Sequence, residues 1–268
     1  MIQQSPIFKD DQIQAFYSDQ GYVILELGDK SILDDLSVIV QRKKNDFGES
    51  FFYSMFGFNS RDSLQFKEAF KQILKSTYEE FFIDYTNRNE SFLVKPSSLN
   101  EEMALHQDWS FTDLQKYQMG TFWLPLQDVN EENGCMVILP KSQNLANLYC
   151  SNTYETARIP IGELEGTQTI PLKKGQVLFF NPAVFHGSLP NLTAQNRIVV
   201  TAQIYNEKAP YLYYHKKDEH HAQVFQLKDD DLYARMKDLI EGKLDHFSFL
   251  EEVKYEHETV SRKMLNMK

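Results

Sequence analysis

His106 and Asp108 are two positions apart in the sequence Leu-His-Gln-Asp-Trp, and both have side chains that bind metal ions. In an extended strand alternate side chains point to the same face, so the imidazole and the carboxylate would be directed to one point. A second histidine would complete a ligand set typical of non-haem Fe(II) oxygenases, which leaves three coordination positions open. Among 268 residues with 7 histidines and 38 acidic residues, about one such triplet is expected by chance. A solvated surface strand is the alternative interpretation of the triplet alone.

His186 is the candidate for the second histidine. It follows an apolar strand, where a lone histidine is more often a core residue than a ligand. Strand alternation places Ser188 on the same face, and residues 190–195 are typical of a hairpin turn, so Arg197 would lie opposite Ser188. An arginine fork matches a carboxylate, and a serine hydroxyl adds a hydrogen bond. We therefore expect Arg197 and Ser188 to hold one end of a dicarboxylate whose other end reaches the metal. The alternative for Arg197 is a strand-end salt bridge or a solvated tip.

Composition limits the class of protein. The chain has 268 residues, 42% of them hydrophobic, and a net charge of -10, which favours one soluble domain and argues against nucleic acid as a partner. The first residues lack a basic region followed by an apolar one, and no apolar run has membrane-spanning length. We expect a cytoplasmic protein with no membrane partner. Cys135 and Cys150 are too few for a disulfide framework and lack zinc-site spacing.

The elements that must position these residues fall into three parts. The first third predicts helices at 10–20, 31–44 and 64–85 with a strand at 22–27, from apolar spacing and caps such as Asp10 and Gly21. Short β-like runs follow at 91–95, 103–109, 117–126, 136–139, 167–172, 176–181 and 197–205. Such a series is typical of an antiparallel sandwich or barrel. A helical pattern from 229 to about 265 closes the chain.

Two segments have competing interpretations. The aromatic residues of 47–58 predict either a mobile lid or, more often for such residues, rings packed beneath a neighbouring helix. His215, His220 and His221 lie among charged residues, which favours a solvated surface over a second metal site.

Three motifs together resemble the phytanoyl-CoA dioxygenase (PhyH) family of Fe(II)- and 2-oxoglutarate-dependent oxygenases. They are His106-Gln107-Asp108-Trp109, the run Trp123-Leu124-Pro125-Leu126-Gln127-Asp128 followed by Asn133-Gly134, and His186-Gly187-Ser188 with Arg197. The detailed match spans 91–205. Many relatives have Pro-Gly-Ser-His where this chain has Pro140-Lys141-Ser142-Gln143, a departure at the edge of the core that leaves the metal ligands unchanged.

The resemblance implies a mainly β protein with flanking helices (α+β) and a double-stranded β-helix (jelly-roll, cupin-like) core. It implies one domain over 1–268, with helical support at 1–90, the core at about 91–206 and a helical C-terminal region at 207–268. Iron would be held by His106, Asp108 and His186, which are also the catalytic residues. The residues that would bind 2-oxoglutarate are Arg197, Ser188, Trp123 and Lys95.

The activity implied is hydroxylation of a small molecule by dioxygen, with 2-oxoglutarate converted to succinate and CO2 and with ascorbate as a stimulant. Related halogenases lack the carboxylate at the position of Asp108, so its presence favours hydroxylation, with desaturation or cyclisation also open. A monomer or a homodimer is expected. The alternatives are a jelly-roll binding protein without turnover and a cupin-like metalloenzyme that does not use 2-oxoglutarate.

Overall fold

The computed structural model describes residues 5–43, 47–57, 60–97, 99–144, 151 and 158–255. The α-helices of this part are α1 (Asp11–Gln20), α2 (Ile32–Gln41), α3 (Ser54–Gly57), α4 (Ser60–Phe81) and α5 (Asp231–Ile240). The strands are β1 (Tyr22–Glu26), β2 (Phe52–Tyr53), β3 (Tyr85–Lys95), β4 (Met103–His106), β5 (Met119–Pro125), β6 (Met136–Ile138), β7 (Gln168–Ile170), β8 (Gln176–Phe180), β9 (His186–Ser188), β10 (Arg197–Asn206), β11 (Leu212–Lys216), β12 (His221–Gln226) and β13 (Ser248–Lys254).

Two antiparallel sheets face each other and form the core of the molecule. The major sheet has the order β1-β8-β5-β10-β3-β2 and the minor sheet the order β4-β9-β6-β7. From β4 to β10 the chain passes back and forth between the sheets, which is the connectivity of a jelly roll. Apolar side chains fill the space between them, for example Trp123 and Val199 from the major sheet and Met136 from the minor sheet. The predicted double-stranded β-helix is confirmed.

Helices α1, α2 and α4 cover the outer face of the major sheet. Leu36 of α2 and Phe70 of α4 pack in one apolar cluster with Phe122 of β5 and Phe179 of β8. Because successive strand residues point to opposite faces, the alternate residues of β5 and β8 bury this second face. The helices therefore leave the inner face of the sheet free to build a site.

The first helix begins and ends as its sequence predicts. The Asp10 side chain accepts hydrogen bonds from the backbone N–H groups of Gln12 and Ile13, at 2.8 and 2.9 Å, which is the usual N-cap geometry. Gly21 ends the helix at a φ of 79°, a conformation that glycine adopts without strain. The chain then enters β1.

The predicted bounds of the N-terminal part need two corrections. Helix α4 covers Ser60–Phe81, whereas 64–85 was expected, because Asp84 turns the chain at a φ of 45° and Tyr85 already begins β3. The part at 1–90 is also more than helical support. Strand β1 pairs with β8 along its whole length, so it forms an edge of the major sheet.

Aromatic side chains of the 47–58 segment pack on the core. The rings of Phe47 and Phe52 each lie 5.9 Å from that of Phe92, which confirms the packed interpretation for these two residues. Phe51 and Tyr53 line a cavity described below. Phe58 and the side chain of Phe56 lie outside the described residues.

The prediction that residues 207–268 are helical is wrong for most of the described part. Helix α5 ends at Ile240, and Gly242 then adopts a φ of 70°. The next regular element is the strand β13, which pairs with β12 in a sheet of the order β11-β12-β13. Phe249, Leu250 and Val253 have a spacing that fits a helix as well as a strand, so the hydrogen bonds to β12 decide the structure. The predicted continuation beyond residue 255 lies outside the described residues.

Three smaller expectations concern the membrane, the histidines and the thiols. None of the helices in the described ranges combines the length and apolar character needed to cross a bilayer. His220 is exposed and His221 lies 3.0 Å from Asp218, away from the metal-site candidates. Cys135 is buried, and Cys150 lies outside the described residues.

Replacing Phe179 tests whether the aromatic layer under the major sheet holds the fold. Its buried ring lies 5.1, 5.2 and 5.0 Å from the rings of Phe8, Tyr17 and Phe82. We expect Phe179→Ala to lower the free energy of unfolding by about 3–5 kcal/mol, because apolar contact is lost and a cavity remains. Urea denaturation measures this. The control Phe249→Ala removes a ring that is 54% exposed and should cost less than about 1 kcal/mol; equal losses for both variants would contradict the prediction.

Candidate metal centre and adjoining cavity

The pairing of β4 with β9 brings the two histidines together. His106 is the last residue of β4 and lies directly opposite His186, the first residue of β9. Directly opposed residues of antiparallel strands point to the same face. The two imidazole rings are consequently 4.5 Å apart between their centroids.

Asp108 joins the histidines from beyond the end of the strand. Its backbone N–H donates to the carbonyl of Pro182 at 2.9 Å, which fixes it beside the connection from β8 to β9. Asp108 Oδ1 lies 3.7 Å from His106 Nε2 and 3.5 Å from His186 Nε2. One ligand atom from each residue lies within 4.8 Å of the other two, so the group could hold a metal ion. The strand alternation expected for His106 and Asp108 is not what joins them, since β4 ends at His106.

Backbone carbonyls set the tautomer of both histidines. His106 Nδ1 is 2.8 Å from the carbonyl oxygen of Ala104, and His186 Nδ1 is 2.9 Å from that of Val184. A carbonyl oxygen only accepts, so each Nδ1 carries the hydrogen and each Nε2 keeps its lone pair. This second contact is the usual way in which a protein orients a histidine ligand.

Burial and mutual charge tune the three groups. Burial lowers the pKa of His106 to about 4, so this ring is neutral at neutral pH. For His186 burial also favours the neutral ring, but the Asp108 carboxylate outweighs it and raises the pKa on balance. Burial opposes ionisation of Asp108, yet the two imidazoles lower its pKa. A carboxylate is thus available beside two basic nitrogens.

Gly187 permits the close approach of β4 and β9. A Cβ atom at this position would lie 2.3 Å from the carbonyl oxygen of Met103, far inside van der Waals contact. Only a residue without a side chain fits between the two strands that carry the histidines.

A buried arginine lies in the same cavity without an acidic partner. Arg197 is 1% exposed, donates through Nη1 to the carbonyl of Gly134 at 2.5 Å and lies 5.3 Å from the ring of Trp123. The Nε atom of Arg197 has no hydrogen-bond partner, and Arg197 forms no ion pair within the described residues. Burial lowers the pKa of Arg197 to about 10, so it is charged at neutral pH. An unpaired buried cation is a site for an anion.

Lys95 adds a second buried cation beside Arg197. The two are cross-strand partners in β3 and β10, and Lys95 Nζ donates to Ser188 Oγ at 3.0 Å and also to the carbonyl of Leu189. Burial, and then the charge of Arg197, lowers the pKa of Lys95 to about 7. Trp123, Ser188 and Arg197 therefore line the cavity together, and Lys95 contacts Ser188 and lies beside Arg197.

The predicted hairpin between Ser188 and Arg197 is wrong. Ser188 pairs with Met103 and Met136 in the minor sheet, whereas Arg197 pairs with Lys95 in the major sheet. The chain crosses between the sheets after β9, so the two side chains line the cavity from different sheets. A sequence pattern shows the turn but does not tell a hairpin from a crossover.

The cavity between the sheets has a volume of about 560 Å³. It contains the three metal-site residues and Arg197, and its walls include many aromatic and sulfur-containing side chains. Five polar lining residues were not singled out from the sequence: Asn89, Thr121, Arg158, Thr201 and Gln203. Alternation along β5 and β10 could have suggested Thr121 and Gln203, which share a parity with Trp123 and Arg197. For Asn89 and Arg158 no sequence signal exists.

Gly187→Ala tests whether the contact between the strands controls metal binding. The added methyl group collides with a backbone oxygen, so β4 must move away from β9 and the histidines must separate. We expect the affinity for Fe(II), measured by anaerobic calorimetry, to fall by about tenfold or more. Gly162→Ala is the control, since a Cβ there meets no atom within 4 Å. Equal affinities for the two variants would contradict this account.

Several solved structures have a similar fold, and their ligands include 2-oxoglutarate and metal ions. EvdO2 from Micromonospora carbonacea var. aurantiaca, complexed with 2-oxoglutarate, matches with a TM-score of 0.53 and 14% identity over 76% of this chain and 93% of EvdO2. HygX from Streptomyces hygroscopicus, with nickel, 2-oxoglutarate and hygromycin B bound, matches with a TM-score of 0.52 and 15% identity over 74% of this chain and 88% of HygX. The epimerase SnoN, in complex with Fe3+, alpha ketoglutarate and nogalamycin RO, matches with a TM-score of 0.50 and 18% identity over 75% of this chain and 85% of SnoN. At these identities the likeness concerns the fold.

Sequence comparison identifies the family. No protein in the curated set matches the chain significantly. The profile of the family described as Phytanoyl-CoA dioxygenase (PhyH) matches residues 34–199, more than half of the chain. The matched segment contains His106, Asp108, His186 and Arg197. The chain therefore belongs to the phytanoyl-CoA dioxygenase (PhyH) family.

Proposed function

We propose that the protein is an Fe(II)- and 2-oxoglutarate-dependent dioxygenase that hydroxylates a small molecule and converts 2-oxoglutarate to succinate and CO2. One observation carries the proposal: a set of two histidines and one carboxylate shares a cavity with a buried arginine that has no acidic partner. The first feature suits a redox-active metal, and the second suits a dianionic cosubstrate. The proposed function needs both.

The donor set fits ferrous iron. His106 Nε2, the Asp108 carboxylate and His186 Nε2 would hold the ion, and the Nδ1–H contacts to Ala104 and Val184 keep both rings in the required tautomer. Three ligands leave room on the metal for other groups. When bound, iron and 2-oxoglutarate supply the activation of dioxygen, with one oxygen atom entering succinate and the other the substrate.

The cationic end of the cavity fits the far carboxylate of 2-oxoglutarate. The Arg197 fork and the Ser188 hydroxyl would hold this carboxylate, and the ring of Trp123 lies against the guanidinium. The Lys95 ammonium, whose protons bond Ser188 and Leu189, would help to bind the cosubstrate through its positive charge. The keto acid end would then extend toward the metal ligands. Orientation of the diacid is the contribution of these residues, and it requires no proton transfer.

The remaining walls keep the reaction away from water. The ring of Phe180 lies 4.5 Å from that of His186, and the side chains of Met136 and Leu93 also line the cavity. An apolar wall shapes the space next to the metal and excludes solvent. Asp108 occupies the position at which related halogenases lack a carboxylate, which supports hydroxylation. Because one of the proteins with a similar fold is an epimerase, the proposal also includes reactions other than hydroxylation.

The proposal also covers setting and organisation. We expect a single domain over 1–268, because the helices α1, α2 and α4 share one apolar cluster with the jelly roll. We expect a cytoplasmic monomer or homodimer that acts on a small molecule and dioxygen, with no nucleic acid or membrane partner. Ascorbate should stimulate turnover by keeping the iron reduced.

Succinate formation tests the function. Purified protein with Fe(II), ascorbate, 2-oxoglutarate and oxygen should release succinate, and pools of small molecules should increase the rate. Asp108→Ala should reduce the rate by more than about a hundredfold with unchanged circular dichroism, because a metal ligand is lost and the preformed sheets remain.

The matched control for that test is Asp218→Ala. It removes the acidic partner of an exposed histidine, His221, at 3.0 Å, and should leave the rate unchanged. Iron-dependent turnover that does not require 2-oxoglutarate would favour the cupin-like alternative. No turnover with any pool would favour a binding protein.

The affinity for 2-oxoglutarate should depend on pH through Lys95. The pKa of Lys95 is about 7 in the free protein, so the ammonium is charged below pH 7 and loses its proton above it. Because a dianion favours the charged form, the affinity should fall by about tenfold between pH 7 and pH 9. Arg197 stays charged over this range, and burial raises the pKa of Cys135 to about 11. The pH dependence between pH 7 and pH 9 is therefore assigned to Lys95 and not to these two groups. Anaerobic titration of the Fe(II) protein measures the profile; Lys95→Met should be weaker and flat, and a sloping profile for it would contradict the assignment.

A further inference from the structure

The cavity has a second polar end, far from Arg197. Along β10 the side chains of Arg197 and Gln203 point to the same face, six residues or about 20 Å apart. Thr121 of β5 is the cross-strand partner of Gln203, and both residues line the cavity. A five-carbon diacid held at Arg197 does not reach this end. It is therefore open to the primary substrate.

Two hydrogen bonds to its oxygen fix the amide of Gln203, and a third holds Asn89, one of the two donors. The hydroxyl of Tyr211 donates to Asn89 Oδ1 at 2.8 Å, and Asn89 Nδ2 donates to Gln203 Oε1 at 2.6 Å. The hydroxyl of Tyr205 also donates to Gln203 Oε1 at 2.6 Å. With its oxygen occupied by two donors, Gln203 presents its NH2 group to the cavity.

One polar atom at this end is buried and unpaired: the hydroxyl of Thr121, a residue only 7% exposed, hydrogen-bonds no atom of the described residues. Gln203 beside it is half-buried, and its hydrogen bonds within the described residues are made by its oxygen. Buried polar groups are nearly always hydrogen-bonded, and leaving one unpaired is costly. A ligand oxygen placed here would satisfy both groups.

An irregularity in β3 places Asn89 where it can hold Gln203. The register pairs Thr201 with Ser91 but Gln203 with Arg88, so β3 has one extra residue between these pairs. Asn89 takes up the irregularity at a φ of 62°, in the left-handed region that asparagine tolerates best among residues with a Cβ. Such bulges redirect side chains and are frequent beside active sites.

The surroundings of this end are apolar. Phe111, Leu232 and Met236 line the cavity and belong to the same apolar cluster as Tyr205 and Tyr211. The family profile ends at residue 199, before Gln203 and before the whole of α5. This end of the cavity is thus built partly by residues inside the matched segment, such as Thr121, and partly by residues beyond it, such as Gln203 and Met236.

We propose that Gln203, assisted by Thr121, anchors an oxygen acceptor of the primary substrate, with Asn89 as a positioning residue. The part of the substrate that binds at this end is uncharged and largely apolar or aromatic, with a carbonyl or ether oxygen. The apolar cluster binds its body, and the amide fixes its orientation relative to the metal site. This inference rests on the proposed function for the role of the metal, but the recognition itself is a property of the cavity.

Matched probes test the recognition. We choose acetophenone, which has an acceptor oxygen, ethylbenzene, which has no polar group, and N-methylaniline, which has an N–H donor. Ligand-detected NMR under anaerobic conditions gives their dissociation constants with the Fe(II) and 2-oxoglutarate complex and with the protein alone. The wild type should bind acetophenone about tenfold more tightly than ethylbenzene, the usual effect of one buried hydrogen bond.

Two variants change only the groups that face the probe. Gln203→Glu at pH 8 keeps the oxygen that Asn89 and Tyr205 bind and replaces the NH2 donor by a carboxylate oxygen, so the preference for acetophenone should vanish. Asn89→Asp removes the donor to Gln203, so the amide should reverse and the preference should shift to N-methylaniline. Gln12→Glu, on an exposed turn of α1, is the charge-matched control and should behave as the wild type.

The outcomes separate this inference from the proposed function. The absorption band of the Fe(II) and 2-oxoglutarate complex reports the function, and its absence in the wild type would overturn that proposal alone, since the protein without iron still reports probe preference. If the wild type shows no preference for acetophenone, or binds none of the probes, the inference is wrong. An unchanged preference in Gln203→Glu, with the band intact, would also overturn it.

Discussion

The antiparallel contact of β4 with β9 is the constraint on which the site depends. It sets His106 opposite His186, and the absence of a side chain at Gly187 lets the two backbones approach closely enough for both imidazoles to reach one ion. Asp108 then needs only the hydrogen bond to Pro182 to complete the group. The metal ligands are therefore positioned by main-chain packing rather than by contacts among themselves, as expected of a site that exists before its metal binds.

Two buried basic residues give one end of the cavity a positive charge. Arg197 and Lys95 are each 1% exposed, and neither forms an ion pair within the described residues. Holding two cations out of water destabilises the free protein by an amount on the order of several kcal/mol, which an anionic cosubstrate would offset. In the proposed function one end of the cavity would bind the diacid at Arg197, the group of His106, Asp108 and His186 would bind the metal, and the NH2 group of Gln203 would bind the substrate among apolar side chains. The order of these three regions follows from the strands β10 and β5, which run along the whole cavity.

Much of this arrangement was readable from the sequence, for reasons that differ between elements. Asp10 and Gly21 act within a few residues of themselves, so α1 could be predicted with its ends. His106, Asp108, His186 and Arg197 were found because their types and order match a family pattern. The predicted hairpin and the predicted C-terminal helix were wrong because both structures depend on strand pairing that the local sequence does not show. Strand β10 pairs with β3 and β5, and β13 pairs with β12. The position of Asn89 could not be predicted for the same reason, since its conformation depends on the irregular pairing of β3 with β10.

The assignment of the metal and cosubstrate sites is best tested by a crystal structure of the protein loaded anaerobically with Fe(II) and 2-oxoglutarate, with anomalous diffraction collected at the iron edge. We expect one anomalous peak in contact with His106 Nε2, the Asp108 carboxylate and His186 Nε2, and density for the far carboxylate of the diacid against Arg197. A peak at any other group of residues, or a diacid bound away from Arg197, would contradict this assignment.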